Sequence, residues 1–531
     1  MPVATTQTIA LQGAVGHLID IQVDVSPGLV TTVLVGRPDA ALSEARDRCR
    51  TAVSNSGFQW PTTRRTTILL SPADLPKRGT HFDLAIAVGV LAASVDTAKE
   101  TPIPTDDAVL IGELTLEGRL RPVPGVLPMV MAAASRGVRR VFVPEPQAAE
   151  AALVPGMAVL GVRSLAQVVA ELRGVEVPEA PPVAADSTSH LLAWRGQERL
   201  EEGDMADLVG VPEALFAAEV AAAGGHHLLL TGPKGAGKTS LAERIPGILP
   251  DLEADEALEL TAIHSLAGAL PPAGGLFRRP PYFAPHHNAS AASLLGGGTG
   301  RVRPGEISRA HGGVLFLDEF PLFNADVVEA LRQPLESGEV TIARGEESAT
   351  FPARGMVVLA ANPCPCGEAG SGTAATTCRC EPHRLRTYER KLGGPLADRI
   401  DIVRRLEPPS PHSATDPFAR RDSTAVVRER VTAARQRQRR RYAGTSWRLN
   451  AHAPAPALRE SWPLDEPSRA LLEGAVVAGA LTRRGATRVH RLAWTVADLA
   501  GLDRPGPGEV ETALQLRTGG PLRLAVVEGV G

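Results

Sequence analysis

Aromatic residues and long apolar runs are scarce in this sequence. The first shortage argues against surfaces that stack on nucleic-acid bases, and the second argues against a membrane-spanning helix. Aromatic residues make up 4% of the chain, so base-stacking surfaces for unpaired nucleic acid are poorly supplied. The longest apolar run, residues 84–95, contains glycine and serine and is shorter than the roughly 18 residues that a membrane-spanning helix needs. The first residues, MPVATTQTIALQGAV, contain neither a basic leader nor a long apolar segment. We therefore expect a cytoplasmic protein without a membrane span.

Lysine is also scarce, because arginine supplies nearly all of the 56 basic residues. The lysines are Lys77, Lys99, Lys234, Lys238 and Lys391. Because arginine is strongly preferred elsewhere, the lysines at these positions suggest that arginine could not perform the same role there. The formal net charge of -3 means that any contact with nucleic acid must come from a local basic patch.

Length and composition predict a large modular protein. At roughly 100 to 200 residues per domain, the 531 residues predict three or four domains. The apolar fraction of 44% and the charged fraction of 22% are ordinary for globular proteins, which excludes wholesale disorder, collagen and coiled coil.

Composition divides the chain into four segments. Residues 1–174 alternate strand-like runs with alanine-rich helical runs, which predicts an α/β domain. Residues 175–190 are rich in proline and alanine and form the predicted linker. Residues 191–405 alternate short apolar runs with helices, the pattern of a parallel sheet. Residues 406–531 form an arginine-rich, largely helical segment.

A phosphate-binding loop lies in the third segment. A buried strand-like run, residues 227–231, leads directly into GPKGAGKT (232–239), which fits G-x-x-x-x-G-K-[ST]. The glycines let backbone N–H groups point at the phosphates, and the following helix adds its N-terminal dipole. Lys238 would reach the β- and γ-phosphates of ATP, and the hydroxyl of Thr239 would bind Mg²⁺. The predicted nucleotide contacts are Gly232, Pro233, Gly235, Gly237, Lys238 and Thr239.

Two further strand-like runs end in polar residues. GVLFLDE (313–319) ends in Asp318, predicted to orient the Mg²⁺ shell, and in Glu319, predicted to act as general base on the attacking water. MVVLAAN (356–362) ends in Asn362, which could position that water. Taken alone, an asparagine that opens a turn is the alternative interpretation.

An arginine follows further along the chain. GPLADRID (394–401) places Arg399 just before another apolar run. A guanidinium supplied by a neighbouring subunit can neutralise phosphoryl charge in the transition state. A structural salt bridge is the alternative.

The order of these motifs resembles AAA+ ATPases, specifically the magnesium-chelatase-like family and, within it, the ComM (YifB) branch. The resemblance covers nearly the whole chain and is carried by PHHNAS (285–290), GVLFLDEF (313–320), ANPCPCG (361–367) and GPLADRID (394–401). It implies an α/β AAA+ core with a helical lid.

The resemblance also implies roles for individual residues. Lys238 and Thr239 belong to Walker A, Asp318 and Glu319 to Walker B, Asn362 is sensor 1, and Arg399 is an arginine finger acting in trans. The helix that contains TRRGATRVHR (482–491) looks like the sensor 2 helix, in which Arg484 fits best by register, Arg488 is the alternative, and surface arginine is the other interpretation of both.

The interval between Lys238 and Asp318 is long for a minimal AAA+ core and indicates an insertion. Residues 285–303 are the candidate, for which the resemblance implies an insert in helix 2 that faces the pore of a ring. Residues 339–354 predict two strands and would match the presensor 1 hairpin. Surface decoration is the alternative for both.

Four of the five cysteines lie close together in sequence. Cys364 and Cys366 are followed by Cys378 and Cys380, which offers four thiolates for a structural Zn²⁺. Reduced free thiols are the alternative.

The first segment contains two motifs that look like the active-site segments of the Lon peptidase domain. They are KRGTHFDL (77–84) and GELTLEGRLRPVPGV (112–126). In this register the position of the serine nucleophile holds His81 and that of the lysine base holds Leu127. We therefore expect a Lon-protease-like domain without peptidase activity, serving assembly or substrate engagement.

The last segment carries a run of arginines. Val427, Val431 and Ala434 could form the buried stripe of a helix, and residues 425–460 hold nine arginines against two glutamates. Such a patch can bind a phosphate backbone without reading its sequence, or it can be a solvated helix face.

Together these features predict a Mg²⁺-dependent ATPase that forms a homohexameric ring and binds DNA through backbone contacts. The resemblance implies a helicase or translocase that promotes branch migration in recombination or natural transformation. A magnesium-chelatase-type ATPase and a protein-remodelling ATPase are the alternatives.

Overall fold

The computed structural model describes residues 3–95, 101–183, 203–270, 275–298, 302–344, 347–367, 378–394, 396–407 and 421–523. They form an N-terminal α/β domain, a central domain built on a parallel sheet, and a C-terminal group of helices. The predicted fold class is confirmed. Among the described helices, none combines the length and the hydropathy needed to cross a membrane.

The N-terminal domain is built on a seven-stranded sheet in the order β3-β4-β2-β1-β5-β8-β9. Every second residue of β2 from Ile19 to Val25 is buried, as expected when one face of a strand carries the core. The strands are β1 (Ala4–Gln12), β2 (Val15–Ser26), β3 (Thr32–Val35), β4 (Arg65–Ser71), β5 (Ala108–Leu110), β6 (Glu113–Leu114), β7 (Leu120–Arg121), β8 (Arg140–Pro144) and β9 (Ala158–Val162).

Helices cover both faces of this sheet. They are α1 (Ala40–Ser43), α2 (Ala45–Asn55), α3 (Asp83–Ser94), α4 (Val126–Ser135), α5 (Ala148–Ala151) and α6 (Leu165–Arg173). The start of the predicted linker lies against this domain, because the side chains of Gln167 and Arg163 donate to the carbonyls of Pro178 and Ala180, each at 2.9 Å.

The central domain has five parallel strands in the order β11-β14-β17-β10-β18. Both faces are buried: Leu228 and Leu230 belong to one apolar cluster, and Leu229 between them belongs to another. This explains the continuous apolar runs in the sequence. The strands of this sheet are β10 (Leu228–Thr231), β11 (Tyr282–Phe283), β14 (Val314–Leu317), β17 (Met356–Ala361) and β18 (Ile402–Arg405).

Helices and two small hairpins surround this sheet. The hairpins pair β12 (Gly296–Gly297) with β13 (Arg303–Pro304), and β15 (Glu339–Arg344) with β16 (Glu347–Pro352). The helices are α7 (Pro212–Gly224), α8 (Lys238–Ile248), α9 (Ala254–Ala267), α10 (Ala291–Leu295), α11 (Glu306–Arg309), α12 (Ala325–Ala330), α13 (Arg332–Ser337) and α14 (Pro382–Leu392). The hairpin predicted at residues 339–354 is thus present, although its tip at 345–346 lies outside the described residues.

The C-terminal helices share a hydrophobic core with the central domain. They are α15 (Thr424–Arg441), α16 (Ala455–Ser461), α17 (Glu466–Val477), α18 (Arg483–Ala500) and α19 (Pro507–Thr518). Ser423 and Thr482 cap the N-termini of α15 and α18, each accepting a backbone N–H three residues on. Val431 and Val489 are fully buried in the same cluster as the strand residue Leu228.

The N-terminal domain contacts the central domain at two places. Helix α4 packs against α9, where Ala262 joins the core of the N-terminal domain and the Ser265 hydroxyl donates to Glu150. At the second place, the turn between β1 and β2 touches the β15–β16 hairpin. Gly13 has a φ of +61°, and a Cβ on it would lie 3.1 Å from the Cβ of Ala349, so this close approach requires glycine.

Candidate nucleotide-binding and hydrolysis site

The phosphate loop folds as the sequence predicts. It connects the end of β10 to the start of α8, and a Cβ on Gly232 would lie 2.4 Å from the carbonyl oxygen of Leu406, so only glycine fits there. Lys238 is the first residue of α8 and is 8% exposed. Its ammonium donates to the carbonyls of Gly232 and Pro233 at 2.7 and 2.9 Å. Burial lowers the pKa of Lys238, and the nearby carboxylates of the Walker B pair oppose this shift.

The carboxylates that follow β14 lie beside this loop. The Thr239 hydroxyl donates to Asp318 Oδ2 at 3.1 Å, which brings together the two residues predicted to hold Mg²⁺. An aliphatic hydroxyl and a carboxylate are oxygen ligands of the kind that Mg²⁺ uses with nucleotide phosphates, so the residues fit the cofactor.

Glu319 has a left-handed backbone conformation, with a φ of +48°. Its N–H donates to Asp318 Oδ1 at 2.8 Å. Such a conformation costs a non-glycine residue on the order of 1 kcal/mol, and strained backbone of this kind is concentrated at functional sites.

Asn362 completes this cluster. Its Oδ1 accepts a hydrogen bond from the ammonium of Lys238 at 3.2 Å. Asn362 therefore lies beside the phosphate lysine at the carboxyl edge of the sheet, where a γ-phosphate would sit. The structure thus brings together Lys238, Thr239, Asp318 and Asn362.

The two predicted catalytic arginines lie at the opposite edge of the sheet. Arg399 precedes the amino end of β18, whereas Lys238 follows the carboxyl end of the parallel strand β10. Arg484 lies on α18, and Arg399 and Arg484 both pair with Glu336 of α13, at 3.0 and 3.4 Å. Among the contacts given for the described residues, none links either arginine to the Lys238 cluster.

Arg488, the alternative sensor 2 residue, is held in an ion pair inside the protein. It forms an ion pair with Asp401, which is 2% exposed and precedes β18. Burial alone would raise the pKa of Asp401, but Arg488 and His226 outweigh burial and hold it well below its usual value. Arg484, with 71% of its side chain exposed, is accessible to another molecule, as is its neighbour Arg483.

A cavity of about 610 Å³ opens between α18 and the base of the β15–β16 hairpin. Its lining includes Glu336, Arg354, Arg484, Arg488 and Arg491. This cleft lies at the amino edge of the sheet, and it is not the pocket formed by the phosphate loop.

The four clustered cysteines converge in space. The sulfur of Cys364 lies 3.2 Å from that of Cys366 and 3.7 Å from that of Cys378, and the sulfurs of Cys366 and Cys378 are 3.8 Å apart. All four sulfurs, including that of Cys380, lie within 4.8 Å of one another. A tetrahedral Zn²⁺ with four thiolates requires sulfur separations of about 3.8 Å, so this donor set fits zinc.

The arginines of α15 serve the protein's own structure. The helix packs against α7, α8 and α18, and its predicted apolar stripe is buried. Arg428 donates to the carbonyl of Gly247, Arg435 to that of Ala222 and Arg437 to that of Asp498. These carbonyls end helices and lack partners within them. Arg430, Arg439 and Arg441 form ion pairs with acidic residues of the chain.

The interpretation of α15 as a free DNA-binding face is therefore not supported. Its charge is largely used to close the C-terminal ends of neighbouring helices and to pair with buried acids. Among the arginines that the sequence placed on this helix, Arg440 is exposed without such a contact among those described.

In the N-terminal domain, His81 and Leu127 occupy the positions predicted to lack catalytic groups. Both are buried, at 3% and 0% exposure. The ring Nε2 of His81 is 2.8 Å from the carbonyl of Ile9, and the N–H of Leu127 donates to Glu150. These contacts are structural and contain no nucleophile with an adjacent base.

Sequence reasoning did not identify Glu336, Tyr388 or Lys391. Tyr388 donates its hydroxyl to the carbonyl of Asn362 at 2.9 Å, and Lys391 donates to the carbonyl of Pro321 at 2.7 Å. The scarcity of lysine was a signal for Lys391, but nothing in the sequence pattern pointed to the other two.

Comparison with known families identifies the class of ATPase. The family described as magnesium chelatase, subunit ChlI, matches residues 204–413. Its C-terminal counterpart matches residues 421–517, and a third description, subunit ChlI of Mg-chelatase, matches residues 21–147. The chain belongs to the magnesium-chelatase-like AAA+ ATPases.

Full-length relatives narrow this class to the ComM/YifB branch. The chain is 38% identical to YifB of Escherichia coli and 37% identical to the competence protein ComM of Haemophilus influenzae, in each case over 94% of both chains. It is 45% identical to an uncharacterized protein of Mycobacterium tuberculosis, over 97% of this chain and 99% of the relative. A shorter match, 24% identical over 30% of each chain, relates it to Lon protease 2 of Bacillus subtilis and agrees with a Lon-like domain.

Proposed function

We propose that this protein is a Mg²⁺-dependent ATPase that assembles into a hexameric ring and moves DNA, as a helicase or translocase that promotes branch migration in recombination or natural transformation. In this proposal ATP binds to the phosphate loop, Thr239 and Asp318 hold Mg²⁺, and Glu319 activates the attacking water. Asn362 positions that water. The protein works in the cytoplasm.

The separation of the arginines from the phosphate loop supports the ring, and it is the observation that carries the proposal. Arg399 and Arg484 lie at the amino edge of a parallel sheet whose carboxyl edge carries Lys238. In this proposal, a cation at that position acts on the nucleotide of another subunit. In a closed ring each subunit would present its phosphate loop to one neighbour and its arginines to the other.

Hydrolysis then depends on charge supplied from outside the subunit. Thr239 and Asp318 would hold Mg²⁺, which would offset part of the phosphate charge, and Lys238 would bind the β- and γ-phosphates. Arg399 of the next subunit neutralises the charge that develops on the transferred phosphoryl group, an effect worth about 10³-fold or more in rate. Arg484 adds a second cation from the same neighbour.

The relationship to a competence protein supports DNA as the substrate. The contacts would come from the two hairpins of the central domain and not from α15. Arg303 is exposed on β13, next to residues 299–301, which lie outside the described part of the chain. Backbone contacts by a few arginines would give binding that depends on salt and not on base sequence.

Zinc bound to Cys364, Cys366, Cys378 and Cys380 is part of the proposal. Its chemistry would be structural, because four thiolates fill a tetrahedral shell and leave no open position for substrate. The residues would join the end of β17 to the start of α14.

The rate of ATP hydrolysis by the full chain, with and without DNA, tests the function. We would measure it without DNA, with single-stranded DNA and with forked DNA, at about 50 and 200 mM salt, with Lys238→Ala as the inactive control. The proposal expects stimulation by DNA that weakens at the higher salt. A rate of ATP hydrolysis that is unchanged by DNA but increased by an unfolded protein would favour a protein-remodelling ATPase. A rate that depends on a porphyrin would favour a magnesium-chelatase-type ATPase.

A further inference from the structure

Helix α14 connects three parts of the hydrolysis site. It begins two residues after Cys380, and its buried residue Tyr388 contacts Asn362, which bonds to Lys238. The sequence assigned no role to this helix. Two of its side chains donate hydrogen bonds to backbone carbonyls beside the predicted catalytic groups.

Tyr388 fixes the residue that carries the predicted sensor 1 amide. It is 8% exposed, and its hydroxyl donates to the carbonyl of Asn362 at 2.9 Å. Asn362 directly follows β17 and precedes a proline, so no strand pairing holds its backbone. Burial raises the pKa of Tyr388 to about 12, and the phenol therefore remains a donor over the whole physiological range.

Lys391 acts one turn further along the helix, on the segment after the Walker B acids. Its ammonium donates to the carbonyl of Pro321 at 2.7 Å. Pro321 lies in the tight turn Phe320–Leu322, which directly follows Glu319. The strained backbone of Glu319 can persist only if the surrounding structure holds it, and this contact is part of that support.

The cysteine cluster anchors the helix from its other end. Cys364 lies two residues after Asn362, and Cys380 lies two residues before the first residue of α14. The same loop touches the phosphate loop, since the side chain of Lys234 packs over Gly367, where a Cβ would lie 3.1 Å from Lys234 Cε. The cluster thus ties the end of β17, the start of α14 and the phosphate loop together.

We propose that Tyr388 and Lys391 are positioning residues for ATP hydrolysis, through which the cysteine-anchored helix α14 sets the orientations of Asn362 and Glu319. This inference rests on the ATPase function proposed above. Neither side chain touches the nucleotide. Both act through the backbone of the residue that positions or activates the water, so they affect the chemical step and not the affinity for ATP.

The test compares Tyr388→Phe and Lys391→Met with the wild-type full chain. Each substitution removes one hydrogen bond and keeps most of the side-chain volume. We expect kcat to fall about ten-fold in each, while KM and the affinity for a fluorescent ATP analogue stay within about two-fold. Lys391→Arg keeps a charged donor but not the compact ammonium group, so it should recover kcat only in part.

Tyr442→Phe is the matched control. Tyr442 is 2% exposed, and its hydroxyl donates to Asn450 Oδ1 at the same 2.9 Å, but it lies in the C-terminal helices. This variant should lose a similar amount of stability and keep its kcat. A kcat that is unchanged in Tyr388→Phe and Lys391→Met, or that falls equally in Tyr442→Phe, would overturn the inference, as would a rise in KM alone. A wild-type chain without ATPase activity would overturn the proposed function and this inference with it.

Discussion

Arg399 and Arg484 converge on one carboxylate oxygen, Glu336 Oε1, although 85 positions separate them in the sequence. Arg399 comes from the turn before β18 and has 14% of its side chain exposed, whereas Arg484 comes from the first turn of α18 and has 71% exposed. The two guanidinium groups therefore meet at one carboxylate, one from a mostly buried side chain and the other from an exposed one.

The first prediction concerns this pair. Arg399→Ala should lower kcat by about 10³-fold while ATP binding persists, because the cation acts in the transition state. Arg484→Ala should lower it less, and the neighbouring exposed Arg483→Ala is the control that should change little. Steady-state ATPase assays and binding of a fluorescent ATP analogue measure both quantities.

Mixing variants tests whether the arginine acts between subunits. Mixing equal amounts of Arg399→Ala and Lys238→Ala subunits should give rings in random order. Some interfaces in these rings are intact, because an Arg399→Ala subunit still supplies its phosphate loop and a neighbouring Lys238→Ala subunit still supplies Arg399. Recovery to about a quarter of the wild-type rate is expected if the interfaces work independently. No recovery in rings of confirmed mixed composition would count against an arginine supplied in trans.

The second prediction concerns Glu319. Glu319→Gln keeps the shape of the side chain but removes its basicity, so ATP and Mg²⁺ should bind while turnover falls by about 10²- to 10⁴-fold. Single-turnover hydrolysis and nucleotide retention on the purified protein measure this. Exposed Glu329, which pairs with Arg332 on the protein surface, provides the control Glu329→Gln. Full turnover by Glu319→Gln would remove this residue as the base.

The third prediction concerns metal removal. Metal analysis of the purified protein should give close to one zinc per chain, and Cys378→Ser should reduce it. Buried Cys49 lies in the N-terminal domain, away from the cluster, so Cys49→Ala should retain the metal. Because metal binding and local folding are linked, we also expect faster proteolysis between β17 and α14 after chelation. Purified protein without zinc would leave four reduced thiols as the correct interpretation.

The fourth prediction concerns pH. Burial lowers the pKa of His264 to about 4, and its Nε2 donates to the carbonyl of Arg309 at 3.1 Å. The unfolded chain takes up this proton near pH 6.5 but the folded chain only near pH 4, so this stability is complete above pH 6.5 and is lost as pH falls to 4. The contribution is on the order of 3 kcal/mol.

Urea unfolding at pH 7 and pH 4.5 measures this dependence. His264→Gln keeps a donor for the Arg309 carbonyl but cannot titrate, so its unfolding midpoint should depend less on pH than that of the wild type. His383, with 76% of its side chain exposed, supplies the control His383→Gln, which should behave like the wild type. An equal pH dependence in all three proteins would contradict the assignment.

The convergence of Lys238, Thr239, Asp318 and Asn362 could be predicted because each residue lies in a short sequence motif at the end of a strand. Asp318 and Asn362 each follow an apolar strand, and the carboxyl ends of parallel strands meet at one edge of the sheet. The conformation of the phosphate loop follows from its glycines, which allow backbone angles that other residues rarely adopt. Those positions therefore follow from the sequence once the strands are found.

The remaining contacts depend on packing that no local pattern records. Glu336 gains its role only when α13 and α18 come together, and Tyr388 only when α14 folds back onto β17. The arginines of α15 misled the interpretation for a related reason. A count of charges does not show that Arg435 faces the carbonyl of Ala222 at the end of another helix.

The glycine turn between β1 and β2 has a mechanical consequence. Gly13 lies against Ala349, which belongs to the β15–β16 hairpin of the central domain. Helix α4 also packs on α9, so the Lon-like domain contacts the central domain at two separate points. These two contacts restrict its movement relative to the central domain. Any displacement of that hairpin relative to the central sheet would therefore also displace the N-terminal domain.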